Sequence, residues 1–275
     1  MERGESKVWF ITGASKGFGR IWAEAALARG DRVAATARDP RALDGLVDRY
    51  GELVLPLQLN VDDKAADDAA VARAHEHFGR LDVLVNNAGY GLFGAIEEVS
   101  EEQARQQLET NVFGALWVTK AALPIMREQG SGHILQVSSI GGVQAFPGIG
   151  LYHASKWALE GFSQSLAGEV GPLGIHVTLI EPIGYETDWA GPSAVVADPL
   201  PAYEPIREVR KTSRVRNQRG TPEATAAAIL AVVDSDDPPL RLFLGQWALD
   251  MIREEYANRL EVWERWQPVA ASAHE

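Results

Sequence analysis

The chain has 275 residues, 46% of them hydrophobic, which suits one substantial core and one large domain rather than two. Its formal net charge of -12, from 38 acidic and 26 basic residues, argues against nucleic acid or an anionic membrane surface as the main partner. Cysteine is absent, which excludes disulfides and thiolate chemistry. The opening MERGESK has no secretory character, and no apolar run approaches the roughly 20 residues of a membrane helix, so a cytoplasmic protein is expected.

Seven almost continuously apolar runs recur along the chain: KVWFIT, RVAATA, LVLPLQL, LDVLVN, GHILQVS, IHVTLIE and LRLFLG. Such runs read as strands covered on both faces, and the segments between them are long enough for crossover helices. The predicted fold class is therefore α/β, a doubly wound parallel sheet in one domain spanning residues 1–275.

After the first strand comes ITGASKGFGR, in which Gly13, Gly17 and Gly19 open the first helix. Glycines there let the backbone turn sharply against a pyrophosphate, while the helix N-terminus stabilises the anion. The same letters, GASKG, satisfy a nucleophile-elbow pattern with Ser15 as nucleophile, which leaves a serine hydrolase as an alternative. That alternative needs a later acid and histidine, and His176 sits inside a strand pattern, where a packed residue is expected. At the end of the second strand, where an NAD site has an acid for the ribose hydroxyl, stands Arg38. With Lys16 it would clamp a 2′-phosphate, which favours NADP(H). Asp39 either offsets that preference or caps the helix predicted from Asp39 and Pro40 to Gly51.

Further on come LVNNAG with Asn87, Ala88 and Gly89, then LETNVFG with Asn111, then ILQVSSIGG with Ser138 and Ser139. In GLYHASKWALEG, Tyr152 and Lys156 are four apart on a helix and share a face. An ammonium beside a phenol, helped by an oxidised nicotinamide, lowers the phenol pKa from about 10 toward a useful acid-base range. His153 points off that face and reads as structural. The six histidines lack metal-ligand spacing, and no metal is expected.

After the sixth predicted strand, EPIGYETDW leads into a segment rich in proline and then arginine, read as a lid over about 186–220. Its basic run from Arg207 to Arg219 would either attract an acidic or carrier-bound acyl substrate or simply form a solvated face. A helix is predicted from Thr221 and Pro222. A C-terminal amphipathic helix, about 246–265, places Leu249, Ile252, Tyr256, Leu260 and Trp263 on one stripe, for packing on its own domain or on a sister subunit.

Over essentially its whole length the chain resembles the short-chain dehydrogenase/reductase family, through TGASKGFG, NNAG, Asn111, Ser139, Tyr152 with Lys156, and the Pro182 segment. The resemblance implies a Rossmann-type sheet and a tetrad of Asn111, Ser139, Tyr152 and Lys156. Tyr152 would be the general acid or base, Ser139 would orient the substrate oxygen, Lys156 would bind the nicotinamide ribose, and Asn111 would hold a proton-relaying water. Ser139 is preferred to Ser138 because its step to Tyr152 is the family's usual one.

The cofactor surface implied comprises Gly13, Ser15, Lys16, Gly17, Phe18, Gly19, Arg38, Asn60, Val61, Asn87, Ala88, Gly89, Tyr152, Lys156, Pro182, Ile183, Gly184 and Thr187. Ile183 departs from the family, which usually has glycine there: either its backbone is ordinary or Gly184 takes over. Asn60 replaces a common aspartate. A pocket wall of Tyr90, Leu92, Phe93, Val143, Phe146, Tyr185 and Trp189 would favour a bulky apolar ketone or secondary alcohol. Homodimers or homotetramers through the helices of Asn111 and Tyr152 are expected by resemblance. The reading is an NADPH-dependent carbonyl reductase, with a cofactor-binding regulatory protein as the alternative that Ile183 motivates.

Overall fold

The computed structural model describes residues 6–191, 193–211 and 219–274. Its strands are β1 (Val8–Ile11), β2 (Arg32–Ala37), β3 (Val54–Gln58), β4 (Val83–Asn86), β5 (Leu92–Phe93), β6 (Gly132–Val137), β7 (Ile175–Pro182), β8 (Val195–Val196) and β9 (Arg241–Leu244). Seven of them form one parallel sheet in the order β3-β2-β1-β4-β6-β7-β9, and these are the seven runs read from the sequence. The two-residue β5 and β8, too short to show in the hydrophobic pattern, pair separately.

Helices cover both faces, which is why the strands are apolar without alternation. One face of the sheet, including Trp9, Ile11, Val33, Ala35 and Val85, packs on α1 (Gly17–Ala28), α2 (Asp44–Tyr50) and α8 (Thr225–Val233). The other, including Phe10, Ala34, Leu84, Ile134 and Val177, packs on α3 (Lys64–Phe78), α5 (Ala115–Gln129) and α6 (Gly150–Val170). Connections run outward from β1 to β2 and β3, then return to β4 on the other side of β1. The loops after β1 and β4 therefore face each other at the topological switch point, where α/β sheets bind ligands.

Several expectations need adjusting. The segment after Asp39 is a 3₁₀ turn, Pro40–Leu43, followed by α2; Asp39 caps the turn by accepting from the Arg41 amide, and Gly51 closes α2 at φ 55°. The Thr221 segment likewise opens as a 3₁₀ turn before α8. His176 is an exposed residue of β7, its ring 5.8 Å from that of His133, rather than a packed one. It lies at the N-terminal end of its strand, whereas the glycine loop follows the C-terminal end of β1, so it cannot serve Ser15 as a base.

The C-terminal helix, α9 (Ala248–Ser272), outlasts the predicted one. Ala248 and Ile252 pack on Ile140 and Val143, but Leu249, Tyr256, Leu260 and Trp263 are exposed, so packing on its own domain accounts for only Ile252 of the predicted stripe.

Candidate active site

Hydrogen bonds between two polar side chains and the backbone hold the floor of the site. Thr12, the first residue after β1, receives the amides of Asn87 and Ala88 on its hydroxyl, each at 2.9 Å. The Asn87 amide nitrogen donates back to the carbonyls of Thr12 and Gly13 at 2.9 and 3.0 Å. Gly13 turns at φ 67° against Ala88, and at Gly19 a Cβ would lie 2.5 Å from the Asn87 side chain. Gly17, at φ 57°, begins α1 with open space where a Cβ would stand. The first turn of α1 has no side-chain cap and no acidic residue, so its amides are free to receive an anion. These features fit a dinucleotide pyrophosphate, with Ser15 and Phe18 on the same loop. Ala88 and Gly89 continue the floor, and Gly89 lies against the Asn111 amide.

Lys16 takes an unexpected partner. Its ammonium pairs with Asp188 of the lid at 3.3 Å, both groups half exposed, rather than waiting beside Arg38. Arg38 is exposed immediately after β2. The neighbouring Asp39 carboxylate is engaged by the Arg41 guanidinium at 2.8 and 3.0 Å, which holds its pKa below the usual range. Of the two roles weighed for Asp39, capping is the one seen. Asn60 is exposed near β3, while the Val61 side chain packs on Gly114.

The four tetrad residues converge at the centre. On α6, Tyr152, Ser155, Lys156, Leu159, Glu160, Ser163, Leu166 and Val170 recur at three- and four-residue steps as the buried face. Its first half is a stripe of polar groups that face other polar groups. The Ser139 hydroxyl lies near enough to the Tyr152 phenol to lower its pKa; Ser138 is instead buried beside Gly142. Lys156, 7% exposed, donates to the Val137 carbonyl at 2.8 Å and sits 5.6 Å from the centre of the Tyr152 ring. Asn111 lies in a π-helical turn, Glu109–Gly114, between α4 (Glu101–Leu108) and α5. It donates to the Tyr90 carbonyl and the Ser155 hydroxyl, both at 3.1 Å, and receives the Tyr90 amide.

Burial sets the electrostatics of this protein form. It pushes the Tyr152 phenol up to about 12, against a smaller lowering by Ser139, and pushes Lys156 down to about 8, against Glu160 one turn later. The expected depression of the tyrosine is thus absent here, because desolvation outweighs the lowering by Ser139. Behind Lys156, Arg241 contacts two buried carboxylates, Glu160 at 2.9 Å and Glu181 at 3.5 Å. Burial and the Glu160 charge raise the pKa of Glu181.

Ile183 has an ordinary backbone: among the described residues every positive φ belongs to glycine, and Gly184 is not one of those glycines. Its amide donates to Leu244 at 3.1 Å, extending the β7–β9 ladder, and its Cγ2 lies 2.3 Å from where a Cβ of Gly245 would be. Isoleucine here therefore requires a glycine on the neighbouring strand end. Thr187 caps the 3₁₀ turn Asp188–Ala190 by accepting from the Trp189 amide at 3.4 Å.

The expected pocket wall divides. Trp189 lies over the site, its ring 4.8 Å from Tyr152 and 5.2 Å from Phe93. Tyr90 contributes its backbone to Asn111. Leu92 is buried in β5, and Val143 packs on α9. Phe146 joins the same cluster as Val143, with its ring 5.4 Å from that of His153. Tyr185 stands apart: it packs edge-on to Phe18 at 5.3 Å and against Gly220, on the α1 side.

The lid is clasped to the body. Glu98 accepts from the amides of Ala95 and Leu200 and from Arg207, all at 2.6–2.7 Å. Arg207, on α7 (Glu204–Lys211), also bonds Glu204 and the Leu200 carbonyl, so its charge is engaged by Glu98 of the body and Glu204 of the lid. The arginines at 214 and 216 lie outside the described residues. Residue reading missed Thr12, Ser155, Asp188 and Glu98; only Thr12, inside the glycine motif, carried a signal that could have singled it out.

A parallel sheet with a glycine loop at its switch point and a Ser–Tyr–Lys–Asn cluster beside it defines a Rossmann-type oxidoreductase. The short chain dehydrogenase pattern matches residues 7–194, and the chain belongs to that family. It is 44% identical to the oxidoreductase BOA17 of Botryotinia fuckeliana, over 92% of each chain. It is 35% identical to a 3-ketodihydrosphingosine reductase of Bacteroides thetaiotaomicron, over 88% of each. A short-chain dehydrogenase from Streptomyces avermitilis superposes with a TM-score of 0.92 at 40% identity, over 98% of each chain. An alcohol dehydrogenase from Thermococcus sibiricus, complexed with 5-hydroxy-NADP, gives 0.74 at 27% identity over 87% and 96%. A relative from Burkholderia phymatum in complex with NAD gives 0.80 at 26% over 92% and 94%. Among the described residues no helix is long and apolar enough to cross a membrane.

Proposed function

We propose that the protein is an NADPH-dependent reductase of bulky apolar or aromatic ketones, working in the cytoplasm. The observation that carries the reading is the buried contact of Ser139, Tyr152 and Lys156 beside the glycine loop. The loop residues Gly13 to Gly19, with Asn87 to Gly89, would hold the dinucleotide, and Lys156 its nicotinamide ribose. When bound, that group supplies the hydride. Ser139 donates to the substrate carbonyl oxygen and orients it. Tyr152, kept protonated by burial, gives its proton to the same oxygen as the negative charge develops. Lys156 stabilises the phenolate left behind, and Asn111 holds the turn beside it through Tyr90 and Ser155.

Arg38 and Lys16 support the choice of NADPH. Lys16 would exchange Asp188 for the 2′-phosphate, an exchange made easy by the low value of an exposed ion pair. Trp189 over Tyr152, and a long-chain ketone named in the Bacteroides relative, support a large apolar substrate. Phe113 and Trp157, 41% and 44% exposed on the helices of Asn111 and Tyr152, support a homo-oligomer.

The test is consumption of NADPH and NADH with a panel of aromatic and long-chain ketones. NADPH-preferring turnover is expected. Tight NADPH binding without turnover of any ketone would favour the regulatory alternative, and equal efficiency with both cofactors would refute the NADPH preference.

A further inference from the structure

The residue after the catalytic tyrosine has no place in the tetrad, yet it is 3% exposed and both of its ring nitrogens are used. Nε2 of His153 receives the backbone amide of Phe146 at 2.9 Å. An amide can only donate, so Nε2 carries a lone pair and the ring is neutral. Nδ1 then bears the proton, and it stands 2.9 Å from the Gly141 carbonyl, which can only accept. The tautomer follows from the two partners.

The same residue, Gly141, links this ring to the reacting centre through its other backbone group. Its amide donates to the Ser139 hydroxyl oxygen at 3.0 Å, and that hydroxyl lies near enough to the Tyr152 phenol to lower its pKa. Because Ser139 accepts from Gly141, its own proton is left for the phenol or for a substrate carbonyl. Glycine is required at 141, since a Cβ would fall 2.6 Å from Nδ1.

We propose that His153 is a positioning residue of the reaction: held neutral with its proton on Nδ1, it clamps residues 141 and 146 of the loop after β6, and by fixing Gly141, whose carbonyl it holds and whose amide meets Ser139, sets the direction of the Ser139 hydroxyl. The proposal rests on the reductase reading given above. The titratable groups facing this ring are few: Tyr152 adjoins it on α6 at 5.9 Å between ring centres, the loop presents Gly141, Phe146 and the Ser139 hydroxyl, and no charged side chain contributes to its shift. Burial holds its pKa below the ordinary 6.5. Protonation would put a proton on Nε2, where it meets the Phe146 amide. In the folded protein the clamp is therefore intact at neutral pH and lost as pH falls through the lowered value.

The experiment compares His153→Leu and His153→Gln with the parent chain for ketone reduction, NADPH affinity and the pH profile of kcat. His153→Leu removes both bonds, and kcat is expected to fall on the order of tenfold to a hundredfold, the size of a misplaced catalytic group, with NADPH affinity unchanged. His153→Gln keeps one donor and one acceptor, so most of kcat returns, while the acid limb disappears because an amide does not titrate. Unchanged kcat in His153→Leu, or an equal loss of kcat and NADPH affinity, overturns the proposal. Should His153→Leu fail to fold, His153→Gln decides alone, and an acid limb identical to the parent's overturns it. Nitrogen NMR of the labelled imidazole at neutral pH needs no turnover. A neutral ring protonated on Nδ1 supports the clamp even if no ketone is reduced, whereas an imidazolium or an Nε2-protonated ring sinks it whatever the activity.

Discussion

The floor of the cleft and its lid are built from different forces. The floor, between Thr12–Gly19 and Asn87–Gly89, is closed by short backbone and amide hydrogen bonds at the ends of two central strands, with glycines where a Cβ would collide. The lid, from Asp188 to α7, is held by the two-residue β5–β8 pairing and by side chains: Lys16 with Asp188, Glu98 with Arg207 and the Leu200 amide, Glu97 with Tyr203. Buried, obligatory hydrogen bonds are costly to leave unmade, whereas an exposed ion pair such as Lys16–Asp188 contributes little and is screened by salt. A rigid floor suits a cofactor whose shape does not change. A lid on exchangeable contacts suits a site that must admit a substrate and release a product.

The contrast can be broken first at Thr12. Thr12→Val leaves the buried amides of Asn87 and Ala88 without an acceptor, which is expected to cost roughly 1–3 kcal/mol of stability and to weaken NADPH at least tenfold. Denaturant unfolding and a fluorescence titration measure both; full NADPH affinity in a folded Thr12→Val chain would show that the floor is not fixed by these bonds. On the lid, Glu98→Ala frees two amides and Arg207 together. It is expected to raise the ketone KM severalfold while leaving NADPH affinity as it was, and a parallel loss of both would erase the distinction between the two regions. Trp189→Ala should weaken bulky apolar ketones by several-fold and small ones hardly at all, since only the former reach the ring above Tyr152. The smallest effect belongs to Lys16→Ala. NADPH should weaken several-fold and NADH scarcely, with the difference shrinking as salt is added; equal effects on both would leave Arg38 as the sole phosphate contact.

Much of this arrangement could be read from the residues alone. The seven strands are visible because a parallel strand buried on both faces is apolar throughout, whereas Asn111, Ser139, Tyr152 and Lys156 are singled out together only by the resemblance to the family. What stayed hidden depends on pairing between distant segments. Nothing near Glu98 announces that its partners lie on a lid a hundred residues later, and Tyr185 reads as a pocket residue until Phe18 and Gly220 are found against it. The anomaly at Ile183 is explained only by Gly245, on another strand end. Tyr152 itself teaches a related lesson. The four-residue step to Lys156 is a local fact, but the depth of burial that raises its pKa belongs to the whole fold.

Central to the account is the claim that Tyr152 is the group that protonates the substrate, and one comparison tests it most directly. NADPH binding and single-turnover ketone reduction are measured for the parent chain and for Tyr152→Phe under identical conditions. The variant is expected to bind NADPH with unchanged affinity while its reduction rate falls at least 10²-fold to 10⁴-fold, on the order expected for loss of a positioned general acid. Reduction by Tyr152→Phe at the parent rate would contradict the account.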